Sequence, residues 1–198
     1  MARTEIALSV RSATLTDDSS GSAIAQVVRE VTTDATDPQL AQFVGRFDDG
    51  TAEHLFWQFR LPGNFRSLQD GGFPALRVQF YMDDDQVDDS KVVRWQTALL
   101  AVTPRGSGGS PAGDTDEMTS LDLTNDGGGW VTASVTLDHA SPATDDRLYE
   151  VVLDLSGNMD GAAAGDYVVL GLRRDADDAS DTASGDACVL AAALEYTV

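Results

Sequence analysis

In 198 residues there is one cysteine, one lysine and two histidines, and no long apolar run. Cys188 alone permits no intrachain disulfide, and its place in an apolar, β-prone stretch makes it a buried thiol rather than a nucleophile. His54 and His139 lie far apart in sequence with no cysteine partner, so a zinc site lacks ligand spacing. No apolar stretch approaches the roughly 20 residues of a membrane span. Met1 to Leu8 carries a charge every few residues in place of a signal peptide's hydrophobic region, so the expectation is synthesis in the cytoplasm without a cleavable signal. Positive charge is scarce as well: Lys+Arg 13 stand against Asp+Glu 33, a formal charge of -20. Phosphate contacts need a basic surface, which argues against direct nucleic-acid binding.

What is present is a normal core under an acidic coat. The chain is 42% hydrophobic, which argues against disorder. Its length suits one domain, residues 1–198, burying roughly two-thirds of its unfolded surface. The acids are mostly aspartate, and Lys91 is the sole lysine beside twelve arginines. Short hydrated carboxylates with few lysine stems suit concentrated salt, where the Debye length falls to about 3 Å at 1 M and self-repulsion is screened. We read the chain as halophilic.

Strand patterns dominate. Thr4 to Val10 alternates Ile6, Leu8 and Val10 with polar residues, and Ser22 to Thr32, with three valines and an isoleucine, reads as a strand. Asp37-Pro38 followed by Leu40, Phe43 and Val44 offers an N-cap, a first-turn proline and an i, i+3, i+4 set, hence one or two helical turns. The alternative there is a strand ending at Phe47. Glu53 to Pro62 places Leu55, Trp57, Phe59 and Leu61 on one face, as a central core strand. Ala75 to Met82, with Leu76, Val78 and Phe80 inward, and Val92 to Val102 follow as a meander. Met118 to Leu123, Trp130 to Leu137 and Arg147 to Leu155, the last alternating Leu148 with polar neighbours, are further strands. Gly165 to Asp175 and Cys188 to Val198 read as a closing pair of neighbouring strands joined by a solvated acidic loop. About ten strands with hardly any helix predict an all-β, antiparallel sandwich, a single jelly-roll with at most one short helix. Uneven strand lengths and long loops favour it over a closed barrel.

Chemistry-bearing clusters are few. Asp175, Asp177, Asp178, Asp181 and Asp186 are spaced to place several carboxylates near one point, as Ca²⁺ or Mg²⁺ ligands would be, though without the glycine and terminal glutamate of an EF-hand loop. In a chain this acidic, a solvated loop is the competing reading, and Asp83, Asp84, Asp85, Asp88 and Asp89 invite the same pair of readings. Gly106 to Ser110 lacks both the Gly-x-Ser-x-Gly register and a following helix, so it is a loop rather than a nucleophile turn. No carboxylate pair stands in an aromatic, apolar setting that would raise its pKa for glycoside hydrolysis. Trp57, Trp95 and Trp130 could stack sugars, although Trp57 and Trp95 sit in core-like strands. Arg173-Arg174 would pair with acids locally or at a subunit contact.

The segments Leu55 to Pro62, Leu76 to Met82 and Tyr167 to Asp175, with Asp181-Thr-Ala-Ser-Gly-Asp-Ala187 before Leu190 to Tyr196, resemble a recurring pattern in structural proteins of tailed viruses. Those are jelly-roll subunits of capsid turrets, decorations, collars or fibres. The resemblance spans roughly residues 45 to 198 and implies a non-enzymatic assembly role without transferring any functional residue. The expected protein is thus a virion component of a halophilic host's virus, partnered by itself in a symmetric homo-oligomer and by other virion proteins. A host-surface glycan is a further candidate partner, and the alternative is a Ca²⁺-dependent carbohydrate-binding module of a halophilic protein. The halophilic reading makes a direct prediction: thermal unfolding followed across a salt series shifts to higher temperature as salt rises, and equal or greater stability at low salt would sink it.

Overall fold

The computed structural model describes residues 2–13, 23–31, 41–66, 74–83, 90–104, 118, 121–123, 127–137 and 147–198. Among them are eleven strands: β1 Arg3–Leu8, β2 Ala23–Ile24, β3 Gln26–Val31, β4 Ala41–Phe47, β5 Glu53–Arg60, β6 Ala75–Met82, β7 Val92–Val102, β8 Val131–Thr136, β9 Tyr149–Asp154, β10 Tyr167–Arg174 and β11 Ala187–Thr197. One sheet has the order β3-β4-β11-β6-β9, with β1 also pairing β11; the other has the order β2-β5-β10-β7-β8. All pairings are antiparallel except β2 with β5. From β4 onward the chain crosses between sheets at nearly every step, giving β4-β11-β6-β9 over β5-β10-β7-β8, and this is a jelly-roll.

Alternation explains which side chains meet. Leu55, Trp57 and Leu61 on one sheet face Phe47, Leu76, Val78 and Phe80 on the other, all buried in one core. Trp95 of β7 is its hinge between layers: its ring lies 5.1 Å from that of Phe47 at 86°, and 5.2 Å from that of Phe80 at 65°. Edge-to-face contacts of this kind add to the area the rings bury. Gly45 lets the layers approach, because a Cβ there would stand 2.5 Å from Leu55 Cδ1. Cys188 is fully buried in β11, as its apolar run required.

Several expectations need correction. Neither the meander nor the closing pair exists as neighbouring strands: β6 and β7 lie in opposite sheets, and so do β10 and β11. Period-two patterning sets which face of a strand is buried but not which sheet it joins. Phe43 and Val44 are in β4, so the helical option fails there, while residues 32–40 lie outside the described residues. Val10 leaves the strand for a 3₁₀ turn, Val10–Ser12. Met118 and Leu123 are in turns rather than a strand. Leu148 is 59% exposed ahead of β9, whose inward residues are Val151 and Leu153 with Leu155 beyond.

Candidate functional site

The acidic connection from β10 to β11 is ordered by arginines. Arg174 ends β10 with a side chain 0% exposed, so its charge must be met locally. Asp181 meets it: Nε and Nη2 donate to the two carboxylate oxygens at 3.1 and 2.9 Å, and that carboxylate is itself 1% exposed. The guanidinium also donates to the carbonyls of Ala183 and Gly185, each at 2.6 Å. This one side chain therefore folds the connection back over the end of its own strand.

Asp175 is buried beside Arg94, which donates to it at 2.9 Å and lies 3.4 Å from Asp178. Arg173 approaches Asp175 at 3.7 Å. Asp178 is held below the ordinary carboxylate value by the Ser180 N–H and hydroxyl, then by Arg94. Asp177 stands exposed. Asp186 accepts from Arg46 at 2.6 Å, and Arg46 also pairs with Asp83. Four of the five sequence-predicted aspartates are thus distributed over three arginine centres, with Asp177 left in solvent, rather than brought to one point. Of the second acidic stretch only Asp83 is described, and Asp84, Asp85, Asp88 and Asp89 lie outside the described residues, as do His139 and Gly106 to Ser110.

Asp186 instead joins two residues that spacing did not single out. Carboxylate oxygens of Asp48, Asp49 and Asp186 lie within 4.8 Å of one another, and Asp48 and Asp186 line a small cavity of about 120 Å³ together with Gln26, Arg46 and Glu53. Three oxygen donors fall short of the six to eight that Ca²⁺ takes. All three are already engaged, Asp48 by the Gly50 N–H at 2.6 Å, Asp49 by the Gly185 N–H at 2.9 Å and Asp186 by Arg46. Glu53 is 8% exposed and accepts from the Asp48 N–H at 2.7 Å. Burial pushes its carboxyl above the ordinary 4.5, reinforced by the charges of Asp48 and Asp186 and opposed by that N–H and by Arg174.

On the outer face of the other sheet, Trp130 is half-buried, its tip resting where Gly171 has no side chain. Arg173 lies 4.5 Å over its ring, and His54, the buried second residue of β5, stands 5.7 Å from it and stacks on Phe56 at 5.8 Å. Trp57 and Trp95 are core residues and present no ring for stacking. Arg46, Arg94 and Glu53 escaped the sequence reading, yet a signal existed: in a base-poor chain, an arginine inside a strand needs acids across the sheet or in the next loop.

No protein-family model matches the chain, and no curated protein matches it. Among solved structures it is similar to a carbohydrate-binding module studied for specific mannan recognition, TmCBM27, at 11% identity and a TM-score of 0.41 over 100% of both chains. At that TM-score the likeness carries no functional inference.

Breaking the buried pair, by Arg174→Met or Asp181→Leu, costs about 3–5 kcal/mol in denaturant unfolding. The double variant Arg174→Met, Asp181→Leu costs less than the sum of its singles, since no charge is left buried alone; additive costs would refute the pairing. Glu53 has the opposite sense. Its folded value exceeds its unfolded one, so its contribution is whole below about pH 4.5 and is lost as pH rises through the raised value. Unfolding free energies therefore place Glu53→Gln at or above the parent at neutral pH, with the advantage fading as pH falls below that value.

Proposed function

We propose that this chain is a non-enzymatic structural subunit, a jelly-roll that assembles as a symmetric homo-oligomer on the particle of a tailed virus with a halophilic host. One observation supports this reading above others. The segments that resemble virion proteins are the scaffold itself: Leu55 to Arg60 lies on β5 with Leu61 and Pro62 just beyond it, Leu76 to Met82 on β6, Tyr167 to Arg174 is β10, and Asp181 to Tyr196 supplies the clamp and β11. Within those segments Arg174 closes the sandwich by gripping Asp181, Ala183 and Gly185. A pattern that recurs because it builds the fold fits a protein whose task is shape and contact.

The acid surplus belongs to the same reading. Described carboxylates that no arginine engages and that face solvent, such as Asp154 and Asp177, would keep subunits soluble in concentrated salt. A carbohydrate-binding role is the second reading, and it draws on Trp130, half-buried on the outer face of the β5–β10–β7 sheet with Arg173 over one side of its ring. Function resides in the site and not the scaffold, so the two readings divide on what is bound.

Light scattering with native mass measurement in high salt is expected to give one closed oligomer, and proteomics of purified particles to contain the chain. A strict monomer absent from particles defeats the proposal. A glycan array run with and without chelator then decides the second reading, which requires a saturable sugar signal lost on Trp130→Ala.

A further inference from the structure

β11 is flanked on one edge by two strands end to end. β4 pairs it up to Val189 opposite Gly45, and β1 pairs it from Ala192 opposite Leu8. Leu190 and Ala191 fall in neither register, and a bulge against β6 sits at the same place. The break opens a cleft of about 400 Å³, floored by Leu190, Ala191 and Ala192 and walled by Ala7, Arg11 and Phe43. Its size and its mostly apolar lining with one charge match small-ligand sites.

The charge is held in place. Trp57 Nε1 donates to the Ser9 carbonyl at 2.9 Å, and the same carbonyl accepts the Ser12 N–H at 3.0 Å and its hydroxyl at 2.8 Å, which pins the 3₁₀ turn carrying Arg11. The Arg11 guanidinium stacks 4.4 Å over the Phe43 ring. Stacking occupies the face of a guanidinium and leaves its in-plane N–H fork available for a carboxylate. Arg46, Arg77, Arg94, Arg173 and Arg174 all make ion pairs, whereas Arg11 makes none among the described residues.

We propose that this cleft binds a small carboxylate with an apolar, ring-bearing body: the carboxylate on the Arg11 fork, the body on Leu190 and Ala191 beside Phe43. The site lies apart from the arginine clamp and does not depend on the assembly role.

The test is an amide-resolved NMR titration of the full chain with phenylacetate, in salt that keeps it folded, against phenylacetamide as the uncharged control. Saturable shifts confined to residues 7–11, 43 and 190–192 are expected for the acid, with the amide at least ~10-fold weaker, as loss of a charged hydrogen-bond pair implies. Arg11→Gln weakens the acid to the level of the amide, and Arg11→Lys, which keeps charge without the fork, falls between. Arg11 is exposed, so both variants retain the parent spectrum elsewhere. Absence of saturation, equal binding of acid and amide, unchanged affinity in Arg11→Gln, or shifts centred elsewhere would each overturn the proposal.

Discussion

A guanidinium with no solvent access must find its acceptors inside the protein, and the second half of this fold is arranged to supply them to Arg174. Two oxygens come from Asp181 and two from the carbonyls of Ala183 and Gly185. Those acceptors all lie in the connection that carries the chain from the β10 sheet to the β11 sheet. Neighbouring bonds complete the seam: the Val92 carbonyl accepts from the N–H groups of Thr182 and Ala183, and the Asp186 carbonyl accepts from Asp83 N–H. The connection is thereby tied to the start of β7 and the end of β6, and Ala187 enters β11 opposite both Phe47 and Met82. A loop that is acidic by composition behaves as a strut because its charges are spent on arginines.

The other ion pairs follow a different economy. Arg46 serves Asp83 and Asp186, Arg77 serves Glu150 and Glu195, and Arg94 serves Asp175 and Asp178. With acids in large surplus, each of these guanidiniums takes two. Arg46 and Arg77 are about a third exposed, so each pair is worth at most about 1 kcal/mol and is screened by salt. The Arg174–Asp181 pair is insulated from both effects. Concentrated salt acting on this molecule would relax the repulsion among solvated aspartates while leaving the buried clamp intact, which is the balance an acid-coated, normally packed sandwich needs.

Much of the fold was legible because burial follows alternation. Leu55, Trp57, Leu76, Val78 and Phe80 were assigned inward from period two and are buried. Strand partners were not legible: β10 and β11 look like a hairpin, and only the clamp and the flanking ladders show that the chain changes sheets between them. The aspartates fail for a related reason. Asp177 and Asp181 are the same residue type four positions apart, and sequence spacing treats them alike, yet one faces solvent and the other is sealed against Arg174. What separates them is the position of an arginine side chain at the end of the preceding strand, a tertiary fact. Phe43 was misleading because Asp37-Pro38 supplied helix-start chemistry, while the pairing of β4 with β3 and β11 decides the conformation actually taken.

The same distinction sorts the arginines. Those that hold the sandwich together are engaged on carboxylates or carbonyls, and replacing them would unfold or loosen the connection they organise. Arg11 is oriented instead by an aromatic ring and a pinned 3₁₀ turn, at the one place where β11 passes from one edge partner to the next. Inside the two ladders there is little freedom, since inward side chains such as Leu55, Val78 and Phe80 are committed to the core. The break between β4 and β1 is where that commitment lapses, and a cation placed there without a partner carboxylate among the described residues can be used for recognition at no cost to the clamp.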